Sequence, residues 1–119
     1  MTENIKEIAL RACDILDEKM GTDIVCLDIT QMTIIADYFV IASGRNPNHV
    51  KSLYDELEVK MEDLGFPLVR SEGYNEGRWI VMDFSVIIVH LFYEPVREFY
   101  HLERLWDDGR NRVPYEKKA

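Results

Sequence analysis

The residues Val86–Tyr93 (VIIVHLFY) limit the fold more than any other segment of the chain. Successive side chains of a strand point to opposite faces of its sheet. One face here carries Val86, Ile88, His90 and Phe92, and the other Ile87, Val89, Leu91 and Tyr93. A half-solvated hairpin strand alternates apolar with polar residues. This one does not, so both faces need cover, from the chain itself or from a partner.

The remaining pattern shows how much cover the chain can supply. Its 119 residues fit one domain, 1–119, since a second core would be too small to hold together. Residues 4–20 predict an amphipathic helix, with Ile5, Ile8, Ala9, Ala12, Ile15, Leu16 and Met20 at three-and-four spacing. Asn4 and Glu7 form its capping box and Gly21 its left-handed stop. Asn46 and Pro47 open a second helix, whose apolar positions Val50, Leu53, Leu57, Met61 and Leu64 run to Gly65.

Strands are expected at Ile24–Ile29, Tyr38–Ser43, Leu68–Arg70, Arg78–Met82 and Val86–Tyr93, the last two forming a hairpin across Asp83-Phe84-Ser85. Thr30–Asp37 reads as a loop with a turn of helix. The segment from Tyr38 through the second helix to Arg70 is a right-handed crossover. After Pro95, EFYHLERLWDD reads as one short helix, and 108–119 as a loose tail. The fold class is α/β: a mixed sheet of about five strands with helices mainly on one face. The opposite face then lacks cover.

Nine of the 13 aromatic residues lie between Tyr74 and Tyr115, around this hairpin and the segment after it. Trp and Tyr are favoured at binding hot spots, but large aromatics also dominate cores. Both homes stay open for Trp79 and Trp106. Asp83 and Glu94 near Trp79 suit Lys or Arg on a partner. The chain carries 22 acidic against 14 basic residues, a net charge of −8, with no basic stripe. Such a charge steers basic partners in and repels phosphate, so direct nucleic-acid binding is not expected.

No apolar run reaches the roughly 20 residues that cross a bilayer, and the acidic start MTENIKEIAL lacks the basic region of a secretory signal. The expected location is the bacterial cytoplasm. Cys13 and Cys26, in unlike patterns and without CxxC spacing, read as buried free thiols.

Four blocks now matter together: ADYFVIASG at 36–44, EGYNEGRWIVMDF at 72–84, VHLF at 89–92 and FYHLERLW at 99–106. In this order and spacing, over roughly Asp23 to Trp106, the chain resembles the ribosomal silencing factor family, also called Iojap. The resemblance implies a mixed sheet with helices on one side, similar to nucleotidyltransferases but without their catalytic residues, and a homodimer. It also implies binding to the large ribosomal subunit through large-subunit ribosomal protein fourteen, which sterically blocks joining of the small subunit and represses translation. Organellar relatives assist large-subunit assembly, so a homodimeric structural or assembly factor is the alternative reading.

By position, Trp79, Asp83, Phe84 and His90 match the family's hairpin, and Tyr100, Leu102 and Trp106 its C-terminal segment. The expected partner-binding set is Trp79, Met82, Asp83, Phe84, Val86, His90, Phe92, Glu94 and Tyr100. Ser85 and Val86 stand where the family usually has Gly-Asp, which implies a differently shaped turn and one acidic contact fewer.

Catalysis finds no support. Nucleotidyl transfer needs Gly-Ser followed by converged carboxylates on Mg²⁺; here Ser43-Gly44 has the reverse order, and Asp28 and Asp37 have no partner at one-residue spacing. The loop SGRNPNH lacks the Gly-Lys-Ser/Thr ending of a phosphate loop. His49, His90 and His101 lie in different elements without metal-ligand spacing, and His90 has neither nucleophile nor acid beside it. His90 is either a satisfied sheet histidine or an interface contact. No cofactor or metal is expected.

Overall fold

The computed structural model describes residues 4–115. Helix α1 (Ile5–Glu18) starts where the Asn4 side chain accepts the N–H groups of Lys6 and Glu7, satisfying donors that have no partner inside the helix. Its stop differs from expectation. Met20, not Gly21, takes the left-handed conformation, at φ 69°. The N–H groups of Met20 and Gly21 then reach back to the carbonyls of Asp17 and Leu16 in a Schellman closure.

Strands β1 (Thr22–Asp28) and β2 (Tyr38–Gly44) pair antiparallel. The loop between them holds one helical turn, closed by the Thr33 N–H on the Ile29 carbonyl. Helix α2 (Pro47–Asp63) opens with the Asn46 side chain capping the His49 N–H at 2.8 Å. It leads to β3 (Arg70–Glu72), two residues later than the pattern predicts. Strand β4 (Trp79–Asp83) and strand β5 (Ile87–Tyr93) form the expected hairpin, with Trp79 opposite Phe92 and Asp83 opposite Ile88. β5 also pairs in parallel with β2, which puts it in the middle of the sheet.

The strand order is β3-β4-β5-β2-β1-β6, one strand more than expected. The addition is β6 (Arg112–Val113), which pairs with Cys26 and Leu27 of β1. Residues 108–115 are therefore not the loose tail that the sequence predicts. The Asn111 side chain donates to the carbonyls of Asp28 and Trp106, and Val113 is buried. Two residues are too few for a strand period to show in a sequence. Residues 116–119 of that predicted tail lie outside the described residues.

The segment after Pro95 is also not one helix. Helix α3 (Glu94–Tyr100) ends at His101, left-handed at φ 48°, and a short α4 (Glu103–Trp106) follows at a new angle. The break lets Val96 on α3, then Leu102 and Trp106, all meet the sheet.

α1 and α2 cover one face. Against them pack Cys26, Val40, Ala42, Ile80, Met82, Ile87, Val89 and Leu91, with Phe84 from the hairpin turn. The opposite face carries Val25, Leu27, Phe39, Ile41 and Phe92, and among the described residues the α3–α4 segment is the helical cover that lies on it. Cys13 and Cys26 are buried free thiols. Among the described residues no helix is long and apolar enough to cross a membrane.

Candidate functional site

Because β4 alternates, Trp79, Val81 and Asp83 share the face away from α1 and α2, while Ile80 and Met82 point into the core. Trp79 starts the strand just after the Gly73–Gly77 turn. Gly73, at φ 94°, lies so close that a Cβ on it would run into the Trp79 carbonyl. That turn brings the backbone tight against the start of β4, where the indole emerges half-buried.

The indole is held on three sides. Its ring stacks on Phe92 at 4.9 Å and leans on Tyr100 at 5.2 Å. Its Nε1–H donates to His90 Nδ1 at 3.2 Å. His90 in turn meets the edge of Phe39, and Phe39 packs on Trp106. An aromatic row thus crosses the sheet from Tyr100 to Trp106. Burial alone pushes the His90 pKa down to about 4, because the protonated ring loses its hydration there. His90 Nε2 is buried with no hydrogen-bond partner among the described residues.

Beyond Trp79 the face is open. Val81, Asp83 and Ile88, with Arg70, Ser71 and Glu72 of the edge strand, line a shallow groove of about 340 Å³. Asp83 accepts from Arg70 Nε at 3.1 Å and from the Ser85 N–H at 2.7 Å. Ser85 is left-handed, at φ 78°, a conformation that costs a non-glycine residue roughly 1 kcal/mol. The Asp83 carboxylate steadies that turn. At the far end, Phe99 and Tyr100 stand 80% and 55% exposed, a large apolar display for a soluble surface.

The sealed end of the face is pinned by a polar cluster. Arg97, 7% exposed, donates to Ser43 Oγ at 2.9 Å and pairs with Glu103 at 2.9 Å. Burial pushes the Glu103 carboxyl up, but its backbone hydrogen bond and the Arg97 guanidinium outweigh that and hold it below the usual range. Ser43 is therefore a buried acceptor for Arg97. Asp28 is occupied by Thr30, and His49 bridges the Arg45 N–H and the Lys19 carbonyl. Among the described residues no His, Cys, Asp and Glu side chains converge as a metal site.

A half-buried hairpin aromatic thus borders a part of the sheet face that the helices leave open. The family model for ribosomal silencing factor during starvation matches residues 2–119. The chain belongs to the ribosomal silencing factor family. It is 34% identical over 107 residues to ribosomal silencing factor RsfS of Bacillus subtilis, covering 90% of this chain and 88% of that protein. It is 30% identical over 95 residues to "Mitochondrial assembly of ribosomal large subunit protein 1" of Mus musculus, covering 77% of this chain and 42% of that longer one. A crystal structure of a Chromobacterium violaceum protein superposes with a TM-score of 0.86 at 29% identity, covering 98% of both chains.

Against this family frame, the expected partner-binding residues divide. Trp79, Asp83 and Tyr100 share the open face or its rim, and Glu94 is exposed at the start of α3. Met82 and Phe84 lie away from that face. Met82 points to the helices by strand parity, and Phe84 folds back under the turn, 2% exposed, into the same core. Val86 is half-buried against that core too. Phe92 and His90 face the right way but lie beneath Trp79 and its neighbours, 0% and 7% exposed. Val81 and Ile88, absent from the expected set, also line the open groove, as follows once Trp79 is placed outward and the hairpin register is known. Sequence reading missed Arg97, whose buried pairing with Ser43 has no local signature.

Proposed function

We propose that this ribosomal silencing factor binds the large ribosomal subunit through large-subunit ribosomal protein fourteen. The contact surface is Trp79, Val81, Asp83, Ile88 and Tyr100. Once seated, its bulk occupies the space where the small subunit would join, and translation falls. The action is steric and makes or breaks no covalent bond. Its setting is the bacterial cytoplasm, where ribosomes work.

One observation carries this reading: an apolar, aromatic strip of sheet that the chain's own C-terminal segment leaves half uncovered, on a protein of net charge −8. A partner with apolar contacts rimmed by Lys or Arg complements it. Pelleting with isolated subunits tests the idea. Large subunits should carry the protein down, and adding it before small subunits should suppress joining, followed by light scattering. Equal binding to both subunits would refute it. The mouse relative's name favours a second reading, assistance in large-subunit assembly. In that case, cells depleted of the protein should accumulate immature large subunits while mature ones join normally. A homodimer through the same face predicts that Trp79→Ala yields a monomer on sizing.

A further inference from the structure

We propose that His90 is the positioning residue of this docking surface: its Nδ1 fixes the Trp79 indole in the orientation that a partner meets. The role rests on the docking reading above but concerns a residue the partner does not touch, since His90 is 7% exposed.

The geometry leaves few other ways to orient the indole. Stacking on Phe92 and the lean against Tyr100 fix its plane, yet ring contacts of this kind tolerate sliding and rotation within that plane. The hydrogen bond from Nε1–H to His90 Nδ1, at 3.2 Å, is the directional contact. An indole N–H only donates, so Nδ1 must offer a lone pair and the imidazole proton must sit on Nε2. Register makes the pairing specific. Trp79 lies opposite Phe92 and Val81 opposite His90, so the two rings are diagonal neighbours on one face, within reach for aromatic side chains. Charging His90 would set a second N–H against the indole donor and break the bond.

Nothing nearby invites that charge. Phe39, Ile41, Phe92 and Trp106 surround the ring or its row. Burial is the one cause of the His90 pKa shift, and Asp83 is paired with Arg70, Arg97 with Glu103, and Asp107 with Arg112. The indole therefore stays anchored across the whole neutral range.

The first test uses the unaltered protein. Long-range proton–nitrogen NMR should find His90 protonated on Nε2 near neutral pH, with Nδ1 shifted as an acceptor; a proton on Nδ1 overturns the proposal. On acidification, the Trp79 indole N–H signal, assigned with Trp106→Phe, should move with the same midpoint as His90, near 4. An indole signal that ignores the His90 titration also overturns it. The second test is binding to isolated large subunits. His90→Phe keeps an aromatic ring without the acceptor and should weaken binding about tenfold, the loss of one hydrogen bond's worth. His90→Asn, whose Oδ1 can stand where Nδ1 was, should recover to within about threefold. Equal loss in both variants would make His90 merely structural. If the unaltered protein does not bind large subunits at all, the docking reading fails, while the tautomer and the coupled titration still decide whether His90 orients Trp79.

Discussion

Two halves of one sheet face meet along β5, and they are treated differently. Over β1 and β2, the α3–α4 segment lies on Val25, Leu27, Phe39 and Ile41 and buries them all. Over β4, Val81 and Asp83 are only partly buried, and among the described residues no helix packs over them beyond the rim of Trp79 and Tyr100. The C-terminal segment thus finishes half of a core and leaves the other half open. Apolar residues at both ends of a strand do not tell these cases apart. What separates them is where the covering segment is pinned, and Arg97 on Ser43 pins it over β2.

The hairpin itself holds the same contrast in two aromatics, and the largest expected effect tests it. Phe84 belongs to the finished core and Trp79 to the open half. Phe84→Ala should lower unfolding free energy by about 3–5 kcal/mol, the cost of emptying a packed aromatic site. Affinity of the molecules that remain folded should change little. Urea unfolding and subunit pelleting of the same sample would show both. A Phe84→Ala variant of native stability that no longer binds would put the turn back in the interface.

His90 lies at the seam between the halves, and its titration measures how dry that seam is. Its folded pKa, about 4, lies below the free value of 6.5. The unfolded chain therefore binds the proton first, and stability falls as pH drops from 6.5 toward 4. Above 6.5 the contribution is complete. The shift corresponds to about 3 kcal/mol. His90→Asn removes this slope, so the difference between its stability profile and that of the unaltered protein isolates the histidine from the carboxylates. Parallel profiles would mean that water reaches the ring.

Trp79→Ala comes next, with an expected loss of about 2 kcal/mol in binding, near thirtyfold, as for a hot-spot aromatic. Its stability cost should be smaller than that of Phe84→Ala, because the indole is only partly buried whereas Phe84 is 2% exposed. If stability falls more than affinity, the open half is a core after all.

These contrasts also show what a sequence can reveal. The two long helices, the hairpin and the interior strand were legible because their signals are local: apolar spacing, Asn46-Pro47 at a helix start, turn residues between strands. Family blocks added the family to which the chain belongs. The lost information was non-local. Whether Phe84 points in or out depends on the bend after Asp83, where the Asp83 carboxylate holds the Ser85 N–H. Whether Ile41 needs a partner depends on a segment more than fifty residues later, folded back by His101 and the Arg97 pairing. β6 is two residues long and exists because β1 offers it an edge. None of these is written in a window of neighbouring residues.

The smallest effect concerns the rim of the open half, and it runs in the opposite direction. Arg70 is 80% exposed, yet it occupies the Asp83 carboxylate at 3.1 Å. Exposed ion pairs contribute only about 0–1 kcal/mol, so Arg70→Ala should leave unfolding free energy nearly unchanged. It should nevertheless free Asp83 for a Lys or Arg of the partner and remove one repelling charge from the groove. Affinity for large subunits should then rise about twofold to threefold, mostly through faster association, with the gain fading as salt screens the charges. The Ser85 turn keeps its own hold on Asp83 through the other oxygen, so the carboxylate stays aimed outward when Arg70 is gone. Weaker binding in the variant would instead show that Arg70 itself meets the partner, and that the rim carries acidic as well as basic recognition.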